Sequence, residues 1–190
     1  MQTEKIIDKI VSWLKDYATK AGVKGYVIGV SGGVDSGVVS TLCAMTGLDL
    51  LMLEMPIRQK EDQVNRAWEH MNDITKRFPN AKAMSVNLTP AFEELYKTFD
   101  VKDDEFPSEK LAFANTRSRL RMLTLYYYGQ INSLLVCGTG NKVEDFGIGF
   151  YTKYGDGGVD VSPIADLYKT EVYALARALD LPESIKNAIP

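Results

Sequence analysis

The chain predicts an α/β fold in three layers, with a parallel sheet held between helices. Two features of the sequence carry this. Short apolar runs of strand length alternate with longer segments whose apolar residues recur at helical spacing, the pattern of strands joined by helical crossovers. The first of those runs, Tyr26-Val27-Ile28, leads into Gly29-Val30-Ser31-Gly32-Gly33-Val34-Asp35-Ser36 and then into the apolar Val38-Val39-Ser40-Thr41-Leu42. That order reads as buried strand, tight loop and helix start. The 190 residues fit a single domain, 1–190, with a substantial core.

From Thr3 to about Lys20, the residues Ile7, Ile10, Val11, Leu14 and Ala18 share one helical face, and Gly22 closes the segment as a C-cap. The helix after the glycine loop is expected to end at Gly47. Asp49 to Glu54 forms a second strand, stopped by Pro56. Gln59 to Phe78 puts Val64, Ala67, Trp68, Met71, Ile74 and Phe78 on one stripe of a crossover helix. His70, the sole histidine, falls on its polar side and has no catalytic partner in sequence. Ala83 to Leu88 reads as a third strand, and Thr89-Pro90 as the N-cap and N1 of a short helix. Asp100 to Pro107, with Asp100, Asp103, Asp104 and Glu105, reads as a solvated acidic loop. Ser108 opens a long helix that ends near Gly129. Ser133 to Cys137 is a fourth strand, Gly138 to Gly158 a glycine-rich loop, Val159 to Pro163 a short strand, and Asp166 to Leu179 a last helix. Ligands of such sheets bind beyond the carboxyl ends of the strands, so the loops after the first and fourth strands share one rim.

A net charge of −3 offers nucleic acid little attraction, and 45% hydrophobic with 25% charged residues is ordinary for a globular protein. The sequence contains no signal peptide, membrane-length apolar run or internal repeat, so a cytoplasmic protein without a membrane or nucleic-acid partner is expected. Cys43 and Cys137 lie in apolar runs and read as buried thiols rather than a disulfide or metal pair.

The loop after the first strand aims backbone N–H groups and the positive end of a helix at one point, which suits an anion. Gly32 and Gly33 admit close approach of phosphate oxygens, Ser31 and Ser36 add hydroxyls, and Asp35 adds a carboxylate suited to phosphate-bound magnesium. Glycine-glycine turns capped by Ser or Asp also occur in α/β proteins with no ligand there, so glycine spacing alone does not decide. Neither the Lys-Ser/Thr pair of a Walker A loop nor the third glycine of G-x-G-x-x-G is present. Ser-Gly-Gly-x-Asp-Ser after a strand resembles the pyrophosphate loop of the N-type ATP pyrophosphatases, which activate a carbonyl or carboxyl group by adenylation.

Further along, Arg117 and Arg121 share one helical face while Arg119 points nearly opposite, with Asn115 as its neighbour one turn away. Helical geometry does not say which arginine face meets phosphates and which makes structural ion pairs. Tyr126, Tyr127 and Tyr128 cover about 200° of helix surface, more than one core face buries, so at least one meets a second subunit or a ligand. The loop from Gly138 is long enough to be functional, and Glu144 either completes a magnesium site with Asp35 or is a surface carboxylate.

Taken together, Ser31 to Ser36, Asn115-Thr116-Arg117-Ser118-Arg119, Gly138-Thr139-Gly140-Asn141-Lys142-Val143-Glu144 and Thr152-Lys153-Tyr154-Gly155-Asp156-Gly157-Gly158-Val159-Asp160 resemble the ammonia-dependent NAD synthetases. The resemblance implies an adenine-nucleotide α-hydrolase-like, Rossmann-like fold and a ligase that forms a C–N bond. ATP, the co-substrate, would be bound by Gly29, Val30, Ser31, Gly32, Gly33, Val34, Asp35, Ser36, Thr139 and Lys169, with Mg2+ held by Asp35 and Glu144. Deamido-NAD would meet Asn115, Arg119, Lys153 and Asp160, while Asp156 and Lys153 would serve catalysis, Asp156 near the nicotinate end where ammonia arrives. A homodimer is implied, because the dinucleotide site of the family lies at a subunit interface. The family continues past the position of Pro190 with a segment that helps close the nucleotide site, so 1–190 is expected to lack it. The residues alone also admit a pyrophosphatase with another acceptor, such as xanthosine monophosphate or a tRNA base, and a nucleotide-binding module without chemistry.

Overall fold

The computed structural model describes residues 2–59, 61–99 and 107–188. In chain order the elements are α1 (Thr3–Ala21), β1 (Gly25–Gly29), α2 (Val34–Met45), β2 (Asp49–Glu54), α3 (Glu61–Arg77), β3 (Ala81–Ser85), α4 (Thr89–Thr98), α5 (Pro107–Asn132), β4 (Leu134–Val136), α6 (Lys169–Ala178) and α7 (Glu183–Lys186). A π-helical segment, Val143–Ile148, lies between β4 and α6. The four strands are parallel in the order β3-β2-β1-β4. In register, Val27 of β1 lies between Leu51 of β2 and Val136 of β4.

Strand side chains alternate in direction, and the two faces bury different halves of the core. Tyr26, Ile28, Leu50 and Met52 join residues of α1, α2, α3, α6 and α7 on one face. Val27, Leu53, Leu134 and Val136 join α4 and α5 on the other. Both faces of the parallel sheet are thereby covered, as such sheets require. The Tyr26 hydroxyl donates to Leu14 O at 2.6 Å, which satisfies the one polar atom this core tyrosine brings. Cys43 and Cys137 are buried free thiols with sulfurs 3.6 Å apart, in agreement with the sequence. Among the described residues no helix is long and apolar enough to cross a membrane.

Several boundaries differ from those the sequence predicts. The third strand spans Ala81–Ser85 rather than Ala83 to Leu88, because its pairing runs from Leu50 opposite Ala81 to Glu54 opposite Ser85 and β2 ends there. Thr89 is not the cap of α4. Its own N–H is taken by Asn87 Oδ1 at 3.0 Å, and Leu88 stands at the cap position. Gly129 does not end α5, which continues to Asn132. A Cβ at Gly129 would lie 2.9 Å from Leu134 O, so the glycine permits close helix–sheet contact. Val159 to Pro163 is no strand but a single bridge of Val161 to Cys137, because the Asp160 carboxylate takes the Val136 N–H (2.8 Å) that a strand would pair. The last predicted helix begins at Lys169, not Asp166, and α7 follows it. Residues 100 to 106 of the expected acidic loop lie outside the described residues, and Pro107 already opens α5.

His70 is the sharpest correction. It is fully buried rather than on a polar face, because α2 and the α6–α7 turn close over that side of α3. Gly37 lies beneath Leu181, Ile185 and the His70 ring, and His70 Nε2 meets Ser40 Oγ at 2.7 Å. Burial pushes the imidazole pKa down to about 4. The unfolded chain therefore binds the extra proton between about 4 and 6.5, and stability falls as pH drops through that window. In urea titrations the protein is expected to lose about 2 kcal/mol between pH 7.5 and 5 beyond what a His70→Leu variant loses. Equal slopes in the two proteins would contradict this.

Candidate active site

β1 keeps its ladder one residue past its end, with Val30 N donating to Leu53 O at 2.8 Å, before the chain turns through Ser31, Gly32 and Gly33 into α2. The turn is tied by hydroxyls: Ser36 Oγ donates to Gly33 O at 3.0 Å and lies 3.2 Å from Ser31 Oγ. Long bonds to those hydroxyls occupy the Ser31 and Gly33 N–H groups, each at 3.3 Å. The N–H groups of Gly32, Val34, Asp35 and Ser36 have no partner among the described residues. They are the orphan donors of a helix start, and a bound anion would satisfy them. Gly32 has φ +81° and presses on α3, where a Cβ would lie 2.9 Å from Gln63 O and 3.1 Å from Ala67 N.

The segment leaving β4 is equally tight. A Cβ at Gly138 would strike Val159 at 2.6 Å, so only glycine fits between the strand end and the returning chain. Val30 and Ser31 from the first loop and Gly138 and Thr139 from the second line one cavity of about 650 Å³, together with Gly29, Asn115, Ser118, Thr152 and Asp156. The two loops share one rim, as the sequence predicts. Beside it Lys169 Nζ, at the first turn of α6, donates to Asp35 Oδ2 and, at 3.0 Å, to Glu144 Oε1. Burial alone would lower the Lys169 pKa, but the two carboxylates outweigh it and the net direction is up. Burial, and then the charges of Asp156, Glu144 and Asp35, push the neighbouring Asp145 up.

α5 clasps the far end of the long loop. Thr152 Oγ1 donates to Asn115 Oδ1 (2.8 Å), Ser118 Oγ to Asp156 Oδ1 (2.6 Å), and Arg119 Nε to Lys153 O (3.0 Å). The remaining predicted residues stand elsewhere. Lys153 Nζ lies over the Tyr154 ring at 5.0 Å. Asp160 accepts from Tyr126 OH at 3.1 Å as well as from Val136 N. Burial and Asp160 push the Tyr126 pKa up to about 12. Arg119, Tyr126, Tyr127 and Tyr154 line a second, open depression of about 1100 Å³ along α5.

Sequence reasoning left the role of Arg121 open and assigned none to Ser118, both of which line the cavity, or to Asn141, which bonds to Asp35. Arg121 donates to Met55 O (3.0 Å) and Gln59 Oε1 (3.2 Å), and burial, then Arg117, lowers its pKa. Ser118 was legible as the i+3 neighbour of Asn115 on the face that carries Arg119. Asn141, after Gly138-Thr139-Gly140, was legible as an Asx-turn residue.

A model of the NAD synthase family matches residues 6–190. The chain belongs to the NAD synthase family. It is 40% identical over 191 residues to the NH3-dependent NAD(+) synthetase of Mesoplasma florum, with 100% of this chain and 75% of that protein covered. To the enzyme of the same name from Carboxydothermus hydrogenoformans it is 39% identical, covering 98% and 74%. Among solved structures, the NMN synthetase of Francisella tularensis superposes with a TM-score of 0.90 at 31% identity, covering 100% of this chain and 76% of that one. The NH3-dependent NAD synthetase of Campylobacter jejuni, in complex with nitrate, gives 0.86 at 30% identity, covering 98% and 77%. In this family member the first loop depends on a glycine at 32. Gly32→Ala is expected to cost roughly 1–3 kcal/mol in denaturant titrations, because positive φ and backbone overlap both oppose a side chain. Unchanged stability of that variant would show that the loop is not pinned against α3.

Proposed function

We propose that this NAD synthase family member amidates deamido-NAD with ammonia at the expense of ATP, giving NAD, AMP and pyrophosphate. The observation that carries the reading is one cavity lined by both the anion-ready turn after β1 and the Asp156 turn of the long loop. A carboxylate does not react with ammonia at neutral pH, because oxide would have to leave. The nicotinate carboxylate therefore attacks the α-phosphate of ATP, releasing pyrophosphate, and ammonia displaces AMP from the acyl adenylate with loss of a proton.

No protein nucleophile takes part, so the side chains position two anions and absorb their charge. In this reading Gly29 to Ser36, Thr139 and Lys169 hold ATP. Asp156 meets the incoming ammonia, since Oδ1 is fixed by Ser118 and by Thr152 N (2.9 Å) and Oδ2 has no partner among the described residues. Lys153 assists there, and Asn115, Arg119, Lys153 and Asp160 receive the dinucleotide. The second depression, with Arg119 and four tyrosines, offers charge and stacking for the rest of that substrate.

The donor set suits magnesium. Asp35 and Glu144 both reach one ammonium, so their oxygens face a common point. Among the described residues no group of three or more His, Cys, Asp or Glu could hold a metal, which fits a cation that completes its shell with phosphate oxygens and water. Bound there, Mg2+ would neutralise phosphate charge. The working form is read as a cytoplasmic homodimer. Leu123 (69% exposed), Tyr127 (60%) and Ile131 (60%) form an uncovered stripe at i, i+4 and i+8 along α5, consistent with a second subunit.

Incubation with ATP, Mg2+, deamido-NAD and ammonium is expected to yield NAD and AMP in equal amounts. Nicotinate mononucleotide is offered in parallel, and its amidation in preference to deamido-NAD would refute the acceptor assigned here. Asp35→Ala and Lys153→Ala are each expected to slow NAD formation on the order of 10² to 10³-fold while the fold is retained by circular dichroism. Near-normal rates in either variant would refute the role assigned to that residue.

A further inference from the structure

Asn141 is fully buried, and its side chain bonds to the Asp35 carboxylate at one end and to the backbone that carries Glu144 at the other. Its Nδ2 donates to Asp35 Oδ1 at 3.0 Å, and its Oδ1 accepts from Val143 N at 3.1 Å and Glu144 N at 3.2 Å. The network fixes the orientation of the amide, since two N–H groups need the oxygen and a carboxylate needs the nitrogen. One side chain thus joins the first turn of α2, which carries Asp35, to the first residues of the π-helical segment, which carries Glu144. The surroundings lock it further. Lys142 N donates to Leu167 O at 3.0 Å, and the Asp145 carboxylate occupies the space a Cβ on Gly140 would need.

We propose that Asn141 is the positioning residue of the cation-binding pair: by bonding to Asp35 and to the Glu144 backbone it holds both carboxylates on one point before a cation arrives. This rests on the magnesium and ATP reading of the site. Lys169 bridges the same two groups but is itself a phosphate ligand in that reading, so it leaves them when nucleotide binds. Asn141 is uncharged and buried and stays. Without it Asp35 would lose a hydrogen bond that offsets its partial burial, and Glu144 would lose the anchor of its backbone.

The competing possibility is that Asn141 only caps the 143–148 segment. Asn141→Ser separates the two, because serine caps a helical segment as well as asparagine does but is too short to reach Asp35 and adds no charge. The measurement is calorimetric titration of Mn2+ into protein carrying one equivalent of α,β-methylene-ATP, which does not turn over. Asn141→Ser and Asn141→Ala are both expected to weaken Mn2+ binding on the order of tenfold to a hundredfold. Nucleotide affinity in EDTA should be unchanged, and Asn141→Ser should keep its fold by circular dichroism. If Asn141→Ala does not fold, Asn141→Ser decides alone. Mn2+ affinity in Asn141→Ser equal to or above that of the unsubstituted protein, or equal loss of nucleotide affinity with and without metal, would overturn the proposal. A parent protein that binds Mn2+ and nucleotide yet makes no NAD would instead refute the synthetase reading and leave this inference standing.

Discussion

The geometry of the site depends on β1 being hydrogen-bonded on both edges, to β2 on one side and to β4 on the other, all in parallel. The chain leaves β1 through α2 towards β2, on one side, and returns as β4 on the other. The two exit loops must therefore part where the strand order reverses, and the gap opens at the carboxyl ends. The cavity lined by Val30, Ser31, Gly138 and Thr139 is that gap. No side chain has to be removed to make it, because the topology leaves it empty. Gly138 keeps it narrow by bringing the β4 exit against Val159.

Charge at the rim is partly offset and stays negative by one. Two carboxylates share one lysine, with side chains 16% to 35% exposed, so water screens the group only in part. Next to them four amides at the start of α2 lack partners among the described residues. A polyphosphate arriving with its cation fits both halves, meeting free donors on one side and exchanging one set of ion pairs for another on the other. Preorganised donors of this kind stabilise developing charge without reorganising at the moment of reaction.

α5 serves three surroundings along its 26 residues. Its middle, at Asn115, Ser118 and Arg119, holds the loop that carries Asp156. Its later turns, at Met122, Leu125 and Gly129, press on the sheet, while Leu123, Tyr127 and Ile131 face outward. Polar and apolar residues are consequently spread around the helix, and no single apolar stripe marks its buried side.

The alternation of strands and helices, the anion loop, the shared rim and the family were legible because each depends on local spacing or on contiguous motifs: Ser31 to Ser36, Gly138 to Glu144, Thr152 to Asp160. Strand limits, the fate of residues 159 to 163 and the burial of His70 were not. They depend on what lies opposite in space: Glu54 at the end of β2, the Asp160 carboxylate on Val136 N, and Leu181 and Ile185 beside Gly37. Asp35 and Glu144 could be named as a pair from their residue types. That Asn141 ties them, and that Lys169 stands between them, was settled only by tertiary structure, because residues 35, 141 and 169 come together only when α2 and α6 pack on one face of the sheet beside the β4 exit.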